Sequence, residues 1–272
     1  MKKEFEANLK VWNELVEIHV KSKFYDLESF KAGKTSLLTT EIEELGDVNG
    51  KTMLHLQCHF GMDSLSWARK GAIVTGVDFS DKAIIKAGEI SKEIGVPATF
   101  IQANIYDVPE IIKDKFDIVF TSYGTIYWLN DLKGWAKIIN QCLKSGGIFY
   151  FIDGHPFSNM IDENKNDVLK VSNLYFTEGK PFVYEEPGDY TDEDPNYTIL
   201  ENMIQYGWGH TISEIINSLI EAGLQIEFIH EFPFGFFGFH PDLKKGEDGL
   251  WRFQTLKPEI PLTLSIKAIK PL

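Results

Sequence analysis

The sequence predicts a doubly wound α/β fold, with a mostly parallel seven-stranded sheet, a C-terminal antiparallel strand and a lid insertion. Three observations predict it. Short apolar runs alternate with helical segments from residue 51 to residue 154, which is the order that builds a parallel sheet with helices on both faces. An acid, Asp78, ends the second apolar run. The alternation stops near residue 155, and a helix and two apolar runs follow residue 209.

The N-terminal region is predicted to be helical. Apolar residues recur at helical spacing from Phe5 to Val20, which is typical of an amphipathic helix. A second short helix is expected over residues 39–46, with Gly46 at its end. Residues 1–45 are therefore expected to form a helical cap on the rest of the chain.

The central region, residues 46–155, is expected to be the cofactor-binding core. Five strands are predicted at residues 51–57, 72–79, 98–104, 116–124 and 148–154. Three main helices are predicted at residues 62–71, 80–95 and 131–147, each ending in glycine, and Asp131 is the expected N-cap of the third.

The remaining chain divides into an insertion and a C-terminal part. Residues 156–209 carry aromatic residues, acids and prolines without a strong period. This stretch is too long for an ordinary loop and is interpreted as a lid that selects the substrate. Residues 210–272 are expected to supply a helix with a capping box at Thr211 and Glu214, then two strands at 224–232 and 262–269. All 272 residues are expected to form one domain.

Composition narrows the class of function. The formal net charge is −13, and an acidic surface of that size repels nucleic acid, so a small-molecule partner is expected. The two cysteines, Cys58 and Cys142, fit no metal-ligand spacing, and a reducing cytoplasmic setting is the simplest interpretation. Neither a signal peptide nor a membrane span is expected. The chain is expected to act as a monomer or a homodimer.

A strand, a turn and a helix at residues 53–70 place backbone N–H groups at a helix N-terminus. A second strand then ends in Asp78, whose carboxylate has the position to accept hydrogen bonds from two ribose hydroxyls. This order predicts a cofactor that contains adenosine. A dinucleotide turn needs Gly-x-Gly-x-x-Gly, yet those positions hold Gln57, His59 and Met62. The turn therefore favours S-adenosylmethionine, which has no phosphate, and Gln57 and His59 are expected to contact its amino-acid tail.

The stretch "LHLQCHFG" and its continuation resemble a class I S-adenosylmethionine-dependent methyltransferase, and in particular a bacterial small-molecule type with this same variant. The family's first motif reads "LDLGCGTG"; here His55 replaces the acid, Gln57 and His59 replace two glycines, and Gly61 is kept. Downstream, "VTGVDFS", "IQANIYDVP", "FDIVFTSYG" and "LKSGGIFYFID" match the later family segments in order. The resemblance covers roughly residues 45–155 and the terminal helix and strands, and it implies a Rossmann-like fold.

The resemblance also implies roles for single residues. It places Asp78 on the ribose and Phe79 beside the adenine. It places Asn104 at the adenine amino group, with the backbone N–H of Ile105 at the ring.

Other candidates follow from position. Cys58 lies in the turn, where a small buried filler is the favoured interpretation over a nucleophile. Ser122 and Tyr123 end the fourth strand, where an open sheet binds ligands, so Tyr123 is a candidate wall of the methyl-transfer site. His155 and His210 are candidate bases, although an ordinary loop histidine is the commoner case. Trp208 and Tyr25 are further candidates near the site.

The sequence thus predicts a methyltransferase that uses S-adenosyl-L-methionine and acts on a small molecule, with no metal. Two alternatives stay open. One is a protein that binds the cofactor without turnover, which the altered first motif suggests. The other is an NAD-dependent oxidoreductase, which the glycine count disfavours.

Overall fold

The computed structural model describes residues 2–161, 169–185, 187–189, 191, 200–255 and 259–272. Its helices are α1 (Lys2–His19), α2 (Leu27–Lys31), α3 (Thr39–Leu45), α4 (Met62–Arg69), α5 (Asp81–Ile94), α6 (Val108–Ile111), α7 (Leu132–Cys142) and α8 (Ile212–Glu221). Its strands are β1 (Thr52–Leu56), β2 (Ile73–Asp78), β3 (Thr99–Gln102), β4 (Phe116–Ser122), β5 (Leu143–Gly154), β6 (Phe182–Glu185), β7 (Ile204–Gly207), β8 (Gln225–Phe232), β9 (Leu243–Lys245), β10 (Trp251–Phe253) and β11 (Thr263–Ile269).

The central sheet has seven strands in the order β3-β2-β1-β4-β5-β11-β8. Neighbouring strands from β3 to β5 run parallel, and β11 is antiparallel to both of its neighbours. The predicted doubly wound sheet with a C-terminal antiparallel strand is confirmed. The strand order reverses between β1 and β4, and the crevice at such a reversal is where open α/β sheets bind ligands.

Both faces of the sheet are covered. Helices α7 and α8 pack on one face around Trp135, and α3 and α4 pack on the other around Trp67. Both tryptophans are fully buried. Burial of a large apolar side chain contributes roughly 1.5–3 kcal/mol, so these two layers fix the strand ends rigidly.

Several predicted helix boundaries are confirmed by their capping contacts. Asp131 accepts a hydrogen bond from Gly134 N at 2.9 Å, and Thr211 and Glu214 form the expected capping box. The third predicted helix was drawn too long, because α7 ends at Cys142 and β5 begins at once. The hairpins β6-β7 and β9-β10 were not predicted. The division of the chain into cap, core, lid and C-terminal part stays a prediction.

Candidate functional site

The turn after β1 keeps a left-handed backbone where the sequence lacks glycine. Gln57 has φ 57° and His59 has φ 49°, and Gly61 follows at φ 80°. A non-glycine residue in this region costs about 1–2 kcal/mol. Strain of this kind persists at ligand-binding turns when the surroundings enforce it. The turn therefore has the path of a glycine-rich turn, with two polar side chains added to it.

Asp78 at the end of β2 holds this turn in place. Its Oδ2 accepts from the backbone N–H of His59 at 2.8 Å, and its Oδ1 accepts from that of Ser80 at 2.9 Å. Asp78 is only 8% exposed. Burial raises the pKa of its carboxyl to about 6. The carboxylate keeps lone pairs on both oxygens for a ligand.

A cleft opens at the carboxyl ends of β1 and β2, at the reversal of strand order. The space between its atoms, with the open solvent at its mouth included, is about 420 Å³. It is lined by Phe5, Asn8, Gln57, Val77, Asp78, Phe79, Ala103, Asn104, Ile105, Trp128 and Leu129. The structure thus brings together five of the ten predicted cofactor residues, namely Gln57, Asp78, Phe79, Asn104 and Ile105. His59 belongs to the adjoining turn but is not among the residues that line the cleft.

Gln57 contributes an unpaired acceptor to this cleft. Its Nε2 donates to the carbonyl of Thr125 at 2.9 Å, which ties the turn to the loop after β4. Its Oε1 is buried and has no hydrogen-bond partner among the described residues. A buried orphan acceptor costs roughly 1–3 kcal/mol. A ligand that donates a hydrogen bond to Oε1 would recover this free energy.

Cys58 and Gly61 are predicted site residues that serve the packing of the turn. The Cys58 thiol is 4% exposed and lies against β2, where a Cβ added at Gly76 would come within 2.9 Å of it. Burial raises the pKa of Cys58 well above its usual range. A Cβ added at Gly61 would lie 2.8 Å from the ring of Phe100, so only glycine fits there. Neither residue lines the cleft.

Ser122 and Tyr123 point away from the cleft into a buried polar network. Ser122 Oγ donates to Asp63 at 3.0 Å, and Tyr123 Oη donates to Glu41 at 2.7 Å. Burial raises the pKa of Glu41 to about 8, and burial lowers the pKa of His55 in the same network to about 3. These groups connect α3 and α4 to the ends of β1 and β4.

The two predicted bases also lie outside the cleft lining. The Nδ1 of His155 accepts from Phe157 N at 3.1 Å, so its Nε2 carries the proton and donates to Glu231 at 2.8 Å. The Nε2 of His210 donates to the carbonyl of Leu129 at 2.7 Å. Burial lowers the pKa of both histidines. In this state both nitrogens of His155 are occupied.

Asp153, near the end of β5, is a site residue that sequence reasoning missed. Its carboxylate accepts from the backbone N–H groups of Thr125 at 2.9 Å, Ile126 at 3.1 Å and Gly154 at 2.7 Å, and also from Gly124 N. The loop that it organises carries the carbonyl bonded to Gln57, and leads into Trp128 in the cleft wall. The sequence does place Asp153 near the end of a predicted strand, which is the same feature that indicated a functional role for Asp78.

Helix α1 contributes Phe5 and Asn8 to the cleft lining and is bonded to the β6-β7 hairpin. Asn8 in α1 forms two hydrogen bonds of 2.8 Å with the backbone of Tyr206 in β7. Trp208 N donates to the carbonyl of Tyr127 at 2.7 Å, so the strand also contacts the loop after β4. Trp12 packs edge-on against Trp128, with ring centroids 5.3 Å apart. Tyr25 lies deeper, against His19 and Phe60.

Comparison with known proteins agrees with this geometry. Residues 54–151 match the family model described as a methyltransferase domain. The part of this chain that matches is a methyltransferase domain. The resemblance found in the sequence is thereby confirmed at the level of the family.

Proteins similar to this chain match different lengths of it. A ubiquinone biosynthesis O-methyltransferase from Photorhabdus laumondii is 30% identical over 124 residues, which are 46% of this chain and 48% of the relative. The chain thus spans about half the length of that relative. The Bacillus subtilis protein "Uncharacterized methyltransferase YbaJ" is 23% identical over 84% of this chain and 91% of its own. A crystal structure of an S-adenosylmethionine-dependent methyltransferase from Clostridium acetobutylicum has a TM-score of 0.58 at 13% identity, over 96% and 99% of the two chains, and so shares the fold.

Two further properties concern metals and membranes. The described residues contain no group of three or more histidine, cysteine, aspartate or glutamate side chains placed to hold a metal ion. In the same part of the chain, no helix combines the length and the apolar character that a membrane span needs.

Proposed function

We propose that this protein transfers the methyl group of S-adenosylmethionine to a small-molecule acceptor. The observation that carries the proposal is the buried carboxylate of Asp78, which lies at the end of β2 in the lining of the cleft. A carboxylate at this point of an α/β sheet suits the two hydroxyls of a ribose. The match of residues 54–151 to the methyltransferase domain supports the same function.

The residues of the cleft fit an adenosine group. Beyond Asp78, the apolar side chains of Phe79, Ile105 and Leu129 line the cleft and suit the two faces of a purine. Asn104 also lies in the lining, and its side-chain amide suits the hydrogen-bonding edge of an adenine. The roles of Asp78, Phe79, Asn104 and Ile105 are carried into the proposal on this basis.

The turn fits the amino-acid tail of the cofactor better than a diphosphate. The orphan Oε1 of Gln57 is an acceptor, which attracts an ammonium group and repels phosphate oxygens. The side chains of Gln57 and His59 also occupy positions where a dinucleotide turn needs bare backbone. This argues against the NAD-dependent alternative.

The lining of the cleft supports a small acceptor. Helix α1 supplies Phe5 and Asn8 to that lining and is bonded to the β6-β7 hairpin, so the chain bounds the cleft on this side. The relatives named as O-methyltransferases of ubiquinone biosynthesis act on small molecules by that name. The net charge of −13 disfavours nucleic acid. The proposed setting is the cytoplasm, which suits two buried free cysteines, with the protein as a monomer or homodimer.

The chemistry asks the protein mainly for positioning. Bound S-adenosylmethionine supplies a methyl group on a sulfonium centre, which transfers by in-line displacement. Asp78 fixes the ribose, the turn fixes the tail, and helix α1 forms one wall of the cleft. Alignment of this kind can lower a barrier by several kcal/mol, on the order of 7 or more in favourable cases. Where the acceptor loses a proton, His155 and His210 stay the predicted bases, but neither lines the cleft and His155 would first have to break a hydrogen bond.

Calorimetric titration and thermal shift test the proposal. S-adenosylmethionine and S-adenosylhomocysteine are expected to bind and raise the melting temperature, while NAD leaves it unchanged. Stabilisation by NAD alone contradicts the proposal. Incubation with cofactor carrying a labelled methyl group and cell extract is expected to label the small-molecule fraction. Binding without any labelled product supports the non-catalytic alternative.

Acidification is expected to weaken cofactor binding. Because the free Asp78 carboxyl has a pKa of about 6 and its ionised form is the better ribose acceptor, a proton must leave before binding below that pH. The dissociation constant of S-adenosylhomocysteine is therefore expected to rise about tenfold from pH 7.5 to pH 5. Isothermal titration calorimetry at constant ionic strength measures the dissociation constant at each pH. Asp78→Asn is the control and is expected to show a flat profile; an unchanged wild-type affinity at pH 5 contradicts the role of the carboxylate.

A further inference from the structure

Three side chains from distant parts of the chain, two of them fully buried and one half-buried, form a hydrogen-bonded series beside the turn. His59 Nε2 lies 2.8 Å from His19 Nδ1 at the end of α1. His19 Nε2 lies 3.1 Å from the carboxylate of Asp189, in the insertion between β6 and β7. The side chains of His19 and Asp189 are 0% and 1% exposed. Removing a carboxylate and imidazoles from water costs free energy unless each of their hydrogen-bond donors meets an acceptor.

The carboxylate sets the direction of the protons in this series. Although burial acts to raise it, the pKa of Asp189 is lowered because His19 and Thr191 donate hydrogen bonds to it. An ionised carboxylate only accepts, so His19 carries its proton on Nε2. A His19 ring that carries only this proton accepts at Nδ1 from Nε2–H of His59. Burial lowers the pKa of His59, which keeps that ring neutral.

This direction leaves Nδ1 of His59 as a bare acceptor. Among the described residues, Nδ1 of His59 has no hydrogen-bond partner, and the ring is half-buried. The side chain belongs to the same strained turn as Gln57, whose Oε1 is also an acceptor without a described partner. In the arrangement with one proton on each imidazole, the ionised Asp189 gives the series one net negative charge. Two acceptors and a negative charge suit a cation.

We propose that Asp189 and His19 are positioning residues that hold Nδ1 of His59 as a hydrogen-bond acceptor for the α-ammonium group of the cofactor. The inference rests on the proposed function and names the group that the turn recognises. It also connects the insertion to the cofactor, because Asp189 lies outside the core that carries His59. Loss of the carboxylate lets either tautomer of His59 form, and the Nδ1–H form presents a donor to an ammonium group.

Binding of two ligands separates this role from a structural one. S-adenosylhomocysteine has the amino-acid tail, whereas 5′-methylthioadenosine has the same adenosine without the amino acid. Asp189→Ala and His59→Gln are each expected to weaken S-adenosylhomocysteine binding about tenfold, as for one hydrogen bond to a charged group. Both variants are expected to bind methylthioadenosine within about twofold of wild type. Glu185→Ala removes an exposed carboxylate of the same insertion and is expected to change neither affinity.

Equal weakening of both ligands by Asp189→Ala, or no weakening, overturns the proposal. Asp189→Asn keeps the volume of the side chain and serves if the alanine variant does not fold. Its amide can donate to His19 and so favours the reverse tautomers, and it is expected to show the same selective loss.

Histidine tautomers can be measured without any ligand. Long-range ¹⁵N–¹H correlation spectra of histidine-labelled protein are expected to show His59 as the Nε2–H form, assigned by its loss in His59→Gln. In Asp189→Asn this form is expected to give way to Nδ1–H. A wild-type His59 with Nδ1–H, or a doubly protonated His19, overturns the proposal. Failure of the wild type to bind either ligand would instead count against the proposed function, since the spectra do not depend on it.

Discussion

Replacement of Asp78 by alanine is expected to weaken S-adenosylhomocysteine binding about 100-fold, or about 2.7 kcal/mol. Two ribose hydroxyls lose a charged acceptor, and each such bond is worth roughly 1.5–3 kcal/mol. The same change removes the acceptors of His59 N and Ser80 N. The left-handed turn thus loses its main restraint in addition to the direct contacts. Isothermal titration of the folded variant measures the effect.

Matched variants make the result specific to this carboxylate. Asp114→Ala removes an exposed acid from the loop before β4 and is expected to leave the affinity unchanged. Methylthioadenosine retains the ribose, so Asp78→Ala is expected to weaken it as strongly as S-adenosylhomocysteine. A folded Asp78→Ala protein with wild-type affinity for both ligands would remove the ribose role and, with it, the main support for an adenosine cofactor.

The fold could be predicted because its signals are local. Each strand of the core is a short apolar run beside a periodic helix, and a mostly parallel sheet follows from that alternation. Asp78 was found for the same reason, since its position after the second strand is defined by neighbours in sequence. The hairpins β6-β7 and β9-β10 were missed because their strands have only three or four residues each, too few to show a period.

The turn could be located but its conformation could not. Side chains at Gln57 and His59 oppose a left-handed backbone, so their residue types argue against the path that they follow. The opposing energy comes from contacts elsewhere, including Asp78 and the carbonyl of Thr125. Partners that lie 40 and 170 residues from His19 along the chain, as in the series with His59 and Asp189, leave no pattern in one sequence.

Asp153 illustrates the same limit and leads to the second large effect. It lies one residue before the end of β5, a strand-end position like that of Asp78, but the sequence does not show which backbone groups its carboxylate meets. In the fold it accepts from four backbone N–H groups and from the hydroxyl of Thr125 at 3.0 Å. One side chain thus accepts hydrogen bonds from the backbone N–H groups of residues 124–126, which lie in the loop after β4 and need an acceptor outside the sheet.

Asp153→Ala is therefore expected to lower the free energy of unfolding by about 3–5 kcal/mol, because several buried donors lose their acceptor at roughly 1–3 kcal/mol each. Urea denaturation at pH 7.5 measures the change. Asp114→Ala is the matched surface variant, with an expected change within about 0.5 kcal/mol. A loss under about 1 kcal/mol for Asp153→Ala would mean that water replaces the carboxylate and that the loop does not depend on it.

The ligand profile of Asp153→Ala also separates two ways of supporting the cleft. The loop that Asp153 holds carries both the Thr125 carbonyl bonded to Gln57 and the cleft wall at Trp128. Its loss should therefore weaken S-adenosylhomocysteine and methylthioadenosine together. Asp189 acts through His59 alone and should affect only the ligand with an amino-acid tail. If both variants gave the same profile, the carboxylate of the insertion would be one more structural support, and recognition of the tail would rest on Gln57.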